Sequence, residues 1–384
     1  MKKSRNIFFR IIKLVLIIPV LLLSAGCWDY QDINRRTISI AFGVDKVDGI
    51  YQYSTEVAKL TSDEGQAQGS IQIPKGYIVI SEGENLESAK IDYSYKIPLD
   101  DFTGGVRIAL FGENFAREGI EAYVNRLDNI YGYRKTTAMA VSRETPCELL
   151  QTKIKNDIST GFYMYDMIIS LSKIGHTLYR NLGDVLKYIA MKEVGFLLPY
   201  IGKEGDNIVY LGLAVIKNSS LVDILEGEDA KGVLYLLSER KPLFSEAIPT
   251  PGNKNLLSFR VYAKKKKINT EYKDNRVVIN VDVSLNADLE YEYYFNPITK
   301  KDVKNFEHAI SNRVENMIKN SILKSQKEYE CDIFQFARHF QIQHPKIYEK
   351  IEWTKEYPEA QINVSVNTKI NSLGFLDPNV KTKF

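Results

Sequence analysis

Few residues of this 384-residue chain occur in the patterns that catalytic or metal-binding chemistry requires. The only close histidine pair is His339 and His344, whose five-residue spacing does not place two metal ligands on one face of a helix. The carboxylates of Asp100-Asp101 and Glu226–Asp229 lie where we predict loops and helix starts, which does not suggest a positioned acid and base. Neither a phosphate-binding Gly-rich loop followed by Lys-Ser/Thr nor a Gly-x-Ser-x-Gly elbow is present. The sequence predicts a protein that is not an enzyme and has no metal site or cofactor.

Cys27 is the residue whose surroundings point to a chemical modification. Residues 1–13 are basic without acidic side chains, the apolar run Leu14–Leu23 follows, and Ser24-Ala25-Gly26 directly precedes the cysteine. This order predicts a secretory signal peptide, because ten apolar residues are too few to span about 30 Å of hydrocarbon. The segment resembles the lipobox of bacterial lipoproteins, with serine at the position where that motif usually has leucine. The resemblance implies cleavage after residue 26 and a diacylglyceryl anchor on Cys27; the alternative is an uncleaved anchor with an incidental cysteine.

The overall charge argues against a nucleic-acid partner. The whole chain carries a net charge of +3, but without the five cations of the signal peptide 46 basic and 48 acidic residues remain, a net of −2. With 44% hydrophobic and 26% charged residues the composition is that of a globular protein, and the length suggests two domains. Cys147 and Cys331 could pair or stay free, and buried free thiols are the commoner outcome.

The first part of the mature chain, residues 27–205, predicts an α+β domain with a mixed sheet. Alternating apolar residues predict a strand at Arg36–Val44, and the Asp48-Gly49 turn predicts a hairpin with residues 51–57. Thr61–Ser70 is polar and aperiodic, which predicts a loop. Further strands are predicted at Tyr77–Ile80, Val106–Phe111 and Lys135–Ser142, and helices at Leu86–Tyr93, Glu113–Leu127, Pro146–Ile154, Tyr163–Ile174 and Leu182–Met191. The polar run Gly202–Asn207 contains two glycines and lacks periodicity, so we place the domain boundary there.

The second part, residues 206–384, predicts another α+β domain. It begins with a predicted hairpin over residues 208–225 and a helix at Asp229–Leu237. Lys241–Asn255 contains three prolines and is predicted to be a loop or a linker, with a possible subdivision there. Every second residue from Val277 to Tyr291 is apolar, so Arg276–Tyr291 is predicted to be a strand paired with Phe259–Tyr272.

The lysine run Lys264–Lys267 on that partner strand allows two interpretations. One is a patch for phosphate or lipid headgroups. The other, which we favour, is a solvated edge strand whose lysines prevent edge-to-edge pairing.

The last elements are predicted to be mostly helical. Thr299 and Asp302 form a capping box, and apolar residues then recur every three or four positions as far as Tyr329, which predicts a helix of roughly 40–45 Å. Asp332 is predicted to cap a second helix, and a third is predicted to begin at Pro345 and end near Trp353. Gln361–Ile370 is predicted to be the final strand. The expected assembly is a mixed or antiparallel sheet covered on one side by the long helix.

Six segments carry a family resemblance. They are Gly26–Asp29 (GCWD), Ile38–Asp45 (ISIAFGVD), Phe111–Gly119 (FGENFAREG), Gly212–Lys217 (GLAVIK), Tyr329–Phe340 (YECDIFQFARHF) and Tyr357–Ile370 (YPEAQINVSVNTKI). In this order, along nearly the whole mature chain, they resemble the Ger(x)C spore germination lipoproteins, which are the C subunits of nutrient germinant receptors.

The resemblance implies a non-enzymatic subunit whose lipid on Cys27 anchors it to the outer face of the spore inner membrane. It implies membrane-spanning A and B subunits as partners, and in this family ligand recognition is usually assigned to those membrane subunits. Cys27 is therefore the one site residue expected from the sequence. The alternative is a solute-binding lipoprotein that delivers a small ligand to a transporter, but such proteins usually have two similar α/β lobes, and that pattern is not predicted here.

Overall fold

The structure is a computed structural model that describes residues 35–58, 76–130, 132–154, 158–239, 242–250, 255–294 and 298–373. The predicted signal peptide, Cys27 and the predicted loop Thr61–Ser70 lie outside the described residues. Two β-sheets with packed helices confirm the α+β class. No helix in the described part of the chain is both long enough and apolar enough to cross a bilayer.

In the described residues the first sheet has nine strands. They are β1 (Thr37–Val47), β2 (Ile50–Ala58), β3 (Tyr77–Gly83), β4 (Asp101–Phe102), β5 (Ile108–Gly112), β6 (Ala138–Ser142), β7 (Phe196–Glu204), β8 (Asn207–Lys217) and β9 (Ser220–Leu225). The order is β3-β2-β1-β5-β6-β7-β8-β9, with the short β4 paired to the start of β1. The central strands β1, β5, β6 and β7 run parallel to one another, whereas the outer pairs are antiparallel. Every residue of β5 and β6 is buried, as expected for central parallel strands with both faces covered.

In the described residues, seven α-helices occur between Leu86 and Leu237. They are α1 (Leu86–Lys96), α2 (Glu113–Glu118), α3 (Glu121–Asn129), α4 (Pro146–Leu150), α5 (Thr160–Lys173), α6 (Leu182–Ala190) and α7 (Gly227–Leu237). The prediction of one helix at Glu113–Leu127 was wrong, because Gly119 has a φ of +133° and ends α2. The next N–H, that of Ile120, donates to the carbonyl of Ser219 in the β8–β9 turn, so the chain changes direction before α3 begins. The apolar residues recur across the break because both short helices bury their apolar side chains in the same hydrophobic core.

The second sheet, as far as the structure describes the chain, has four strands. They are β10 (Leu243–Pro249), β11 (Leu256–Lys273), β12 (Arg276–Glu292) and β13 (Gln361–Ser372), in the order β10-β11-β12-β13. The last pair is parallel and the others are antiparallel. The prediction of a loop or linker over Lys241–Asn255 was wrong for β10, in which Phe244, Glu246 and Ile248 are buried in alternation. Its prolines do not interrupt the ladder, since Pro242 precedes the strand and Pro249 ends it.

The lysine run of β11 lies where β10 has ended. Leu243 at the start of β10 pairs with Tyr262, so Lys264–Lys267 has β12 on one side and no strand of the described residues on the other. This position matches the edge-strand interpretation. Lys266 differs from its neighbours because its Nζ donates to the carbonyls of Leu236 and Ser238 at 2.8 and 2.6 Å.

The long helix predicted from the sequence is α8 (Lys300–Lys327), which begins with the predicted capping box of Thr299 and Asp302. Its 28 residues correspond to about 42 Å. It buries Phe306, Ile310 and Val314 against the second sheet, which confirms that a long helix covers this sheet.

The remaining helices are α9 (Phe336–Gln343), α10 (Pro345–Tyr348) and α11 (Trp353–Glu359). The helix that begins at Pro345 ends at Tyr348, so the prediction that it continues to Trp353 was wrong. Trp353 begins α11 instead and is fully buried.

Gly202–Asn207 does not separate two sheets. Strands β7 and β8 form a hairpin across it, and the first sheet continues to β9. The two sheets separate later in the chain, between Leu237 and Leu243. In the described residues the sheets differ in strand number and order, so they are unlike the two similar lobes of a solute-binding protein.

Candidate functional site

Strand β1 begins beside a turn that follows α1. The N–H of Thr37 donates to the carbonyl of Asp100 at 3.0 Å, and its Oγ1 donates to the carbonyl of Leu99 at 2.9 Å. Arg36 forms an ion pair with Asp100 at 3.5 Å. Cys27, the site residue expected from the sequence, lies outside the described residues, ten positions before Thr37. Ten residues span at most about 35 Å, so the surface around Leu99 and Asp100 is within that distance of the predicted lipid attachment.

A cleft of about 390 Å³ opens next to this entry point. Its apolar wall is formed by Ile97, Leu99 and Ile130, and its polar floor by Lys90 and Asp101. The size falls within the range of sites that bind small molecules.

The floor of the cleft is a polar network that joins three elements. Ser39 on β1 donates its hydroxyl to Asp101 Oδ1 at 2.6 Å and lies 3.1 Å from the hydroxyl of Tyr93 on α1. Lys90 Nζ is 3.5 Å from Asp101 Oδ2 and 4.4 Å from the centre of the Tyr93 ring. Asp101 lies on the two-residue strand β4, so the interpretation of Asp100-Asp101 as loop acids was wrong for this residue. The sequence drew attention to the acidic pair Asp100-Asp101, but it did not indicate that β4 pairs with β1 and thereby positions Asp101.

A smaller cavity of about 20 Å³ shares Lys90 and Asp101 with the cleft, and its lining includes four phenol groups. Tyr53, Tyr93, Tyr123 and Tyr133 line it together with Phe42, Lys90 and Asp101. Tyr53 is 5% exposed, and its hydroxyl interacts with that of Tyr123. Burial raises the pKa of Tyr53 and of Tyr93, so both remain neutral phenols.

Two family models match consecutive parts of the chain. Residues 29–203 match "Spore germination protein N-terminal domain", and residues 211–374 match "Spore germination B3/ GerAC like, C-terminal". The chain belongs to this family of spore germination proteins.

Relatives and a solved structure of the family resemble this germination protein over nearly its full length. Spore germination protein KC of Bacillus subtilis (strain 168) is 23% identical over 398 residues, which cover 96% of this chain and 97% of the relative. Spore germination protein B3 of the same organism is 22% identical over 377 residues, covering 92% and 96%. The crystal structure of the GerBC protein has a TM-score of 0.57 and 19% identity, covering 88% of this chain and all of the other. The likeness to that structure shows that the fold is shared.

In this germination protein, most residues of the segment Tyr329–Phe340, which carries part of the family resemblance, are buried around the carboxylate of Asp332. The carboxylate of Asp332 accepts hydrogen bonds from the N–H groups of Phe334 at 3.0 Å and Ala337 at 2.8 Å and from Trp353 Nε1 at 3.2 Å. Its backbone carbonyl accepts from the N–H of Gly195, just before β7. Asp332 therefore joins the first sheet to α9 and α11, and it satisfies N–H groups at the start of α9 as the predicted cap should. Burial raises its pKa to about 6.

Other buried carboxylates also hold helices in place. Glu56 on β2 accepts from the N–H groups of Thr160 and Gly161 at the start of α5, at 3.0 and 2.7 Å. Asp45 on β1 accepts from the N–H of Phe115 in α2 at 3.1 Å. Backbone N–H donors at the helix starts, and for Glu56 also the hydroxyl of Ser159 at 2.9 Å, hold these carboxylates in place.

The remaining candidate ligands do not converge. Cys147 and Cys331 are free thiols, and burial raises the pKa of Cys331 to about 12. His344 bonds the carbonyl of Thr270, whereas His339 is half-buried on α9. Within the described ranges, no group of three or more His, Cys, Asp or Glu side chains could hold a metal ion.

Proposed function

We propose that this protein is the lipid-anchored, non-catalytic C subunit of a nutrient germinant receptor in the spore inner membrane. It assembles there with membrane-spanning A and B subunits and is needed for nutrient-triggered germination. The observation that carries this proposal is the extent of the family match, which begins at residue 29, two positions after Cys27, and continues to residue 374. The relatives named as spore germination proteins support the same role.

The proposed mechanism is anchoring followed by assembly. A single acyl chain holds a protein at a membrane only reversibly, whereas two chains on Cys27 provide a stable anchor. The nine residues between Cys27 and β1 keep Thr37 within about 35 Å of that anchor. Confinement near the membrane raises the effective concentration of the folded body for the A and B subunits without any new contact.

The test replaces the proposed attachment residue. We expect Cys27→Ala to abolish palmitate labelling, to move the protein out of the membrane fraction and to weaken nutrient-triggered germination. Cys147→Ala is the matched control, since it also removes a free thiol but should retain the label and the phenotype. Mass spectrometry of the mature N-terminus then shows whether residues 1–26 are removed. Normal germination by an unlabelled, soluble Cys27→Ala protein would exclude anchoring as the mechanism.

The division into residues 27–205 and 206–384 belongs to the same proposal. Its support is that the two family models meet between residues 203 and 211. Because β7 and β8 pair across this point, we expect a fragment that ends at residue 205 to aggregate, and light scattering of the purified fragment would measure this. A monomeric, folded fragment would show that the first sheet does not need β8 and β9.

A further inference from the structure

We propose that an exposed apolar stripe on and just after α1 lies against the lipid bilayer and holds the folded body in one orientation on it. The stripe consists of Ile91, Tyr95 and Leu99, whose exposed fractions are 45%, 84% and 43%. The inference rests on the proposed membrane anchor at Cys27 and goes beyond it, because an anchor alone does not determine which surface of the body faces the lipid.

Helix α1 has apolar side chains on two faces. Ala89 and Tyr93 are buried in the body. Ile91 and Tyr95 are four residues apart, so their side chains are neighbours on another face, and Leu99 follows just after the helix ends. Single exposed apolar residues are ordinary, whereas several of them together on one surface are typical of a contact with a partner or a membrane.

The position of the stripe favours the bilayer as its occupant. Thr37 donates its N–H to the carbonyl of Asp100 and its Oγ1 to the carbonyl of Leu99, so the chain that comes from Cys27 enters the body at one end of the stripe. Ten residues span at most about 35 Å, whereas a compact body of this size is roughly 50 Å across. The anchor therefore keeps the surface at the entry point nearest to the lipid.

The side chains of the stripe suit the region between the headgroups and the hydrocarbon. The ring of Tyr95 is apolar and its hydroxyl can stay hydrated, which is why tyrosine is enriched at membrane interfaces. Ile91 and Leu99 add apolar surface beside it, as on amphipathic helices that lie in the plane of the interface.

The charges beside the stripe do not oppose contact with anionic lipid. Asp92 is paired with Lys96 at 2.6 Å and Asp100 with Arg36 at 3.5 Å, so these carboxylates add little net negative charge. The Lys96 side chain is 45% exposed, and its stem can lie along the apolar region while its ammonium stays among the headgroups.

The experiment measures the depth of residue 95 in vesicles that contain this protein and lipid alone. Full-length protein with Cys147→Ala and Tyr95→Cys is labelled with a fluorophore and reconstituted into vesicles of phosphatidylethanolamine and phosphatidylglycerol. We expect lipids brominated near the headgroup end of their acyl chains to quench this label. Ile342→Cys is the matched control, because Ile342 is 70% exposed but lies on α9, and its label should be quenched severalfold less. The Cys147→Ala parent measures any label on Cys27 or Cys331.

A second set of variants tests whether the stripe causes the contact. Ile91→Ser with Leu99→Ser, introduced into the Tyr95→Cys protein, should reduce the quenching severalfold, because the apolar surface on both sides of the label is lost. Leu323→Ser with Tyr294→Ser removes two exposed apolar side chains elsewhere and should leave the quenching unchanged. Circular dichroism checks that each variant folds, which is expected because all four positions are exposed.

Three results would overturn the proposal: no quenching at residue 95, equal quenching at residues 95 and 342, or quenching that Ile91→Ser with Leu99→Ser leaves unchanged. The first is the result expected if a partner subunit covers the stripe, since these vesicles contain none. Mass spectrometry of the N-terminus of the same sample separates this test from that of the anchor. A lipidated protein without quenching at residue 95 refutes the docking and keeps the anchor, and quenching in a protein without lipid on Cys27 does the reverse.

Discussion

Replacing Asp332 by Asn should change how stability depends on pH. Burial raises the pKa of Asp332 from 3.8 to about 6, outweighing its N–H donors, which favour the carboxylate. The folded protein therefore binds this proton more tightly than the unfolded chain. The resulting stabilisation is complete below the unfolded pKa and is lost as the pH rises through about 6. Raising the pKa from 3.8 to about 6 corresponds to about 3 kcal/mol of stabilisation at low pH. Of this, ~2 kcal/mol is lost between about pH 4.5 and about pH 7.5.

The assay is urea unfolding of the wild type and Asp332→Asn across that pH range. Asparagine cannot ionise, and its amide NH₂ would face the N–H donors of Ala337 or Trp353, so the variant should be less stable at low pH. The difference in unfolding free energy should shrink by ~2 kcal/mol as the pH rises, because only the wild type loses the proton. Asp206→Asn, in the exposed β7–β8 turn, is the control and should show no such trend. A difference that stays constant or grows with pH would refute the account of Asp332.

Two further predictions concern α8. Gly232→Ala should destabilise the protein by about 1–3 kcal/mol in denaturant unfolding, although alanine normally favours a helix. The new Cβ would lie 2.4 Å from the Met317 carbonyl oxygen and push α7 away from α8. Unchanged stability would show that the helices are not in this close contact. Thr299→Ala should cost about 1 kcal/mol, because the N–H of Asp302 loses its acceptor at the start of α8, and a Thr299→Ser variant with equally reduced stability would contradict capping as the cause.

Strong local patterns made much of the fold predictable. The alternation in β1 and β12 identified both strands, because each buries one or both faces without a break in period. The capping box and apolar spacing identified α8 to within a few residues. In contrast, β10 was missed because its flanking prolines suggested a loop, whereas they lie at the strand ends. The parallel pairing of β12 with β13 also had no local signal, since it depends on the path of the helices between them.

The cleft could not be predicted from the sequence, because its residues come together only through long-range pairing. Ser39 and Asp101 are 62 residues apart, and the two-residue strand β4 that joins them is too short to leave a periodic pattern. Tyr53 and Tyr93 are two of the 24 tyrosines in the chain, and no sequence pattern indicates that they line the same cavity. Cys27 shows the opposite case, because its signal is wholly local and needs no tertiary structure.

The most direct test of the central claim is native purification of the tagged protein from spore inner membranes, followed by identification of its partners. The proposed role predicts stoichiometric recovery of two membrane-spanning subunits, the A and B subunits of one germinant receptor. Recovery of the protein without either of them, under conditions that keep the receptor's A and B subunits associated with each other, would contradict it.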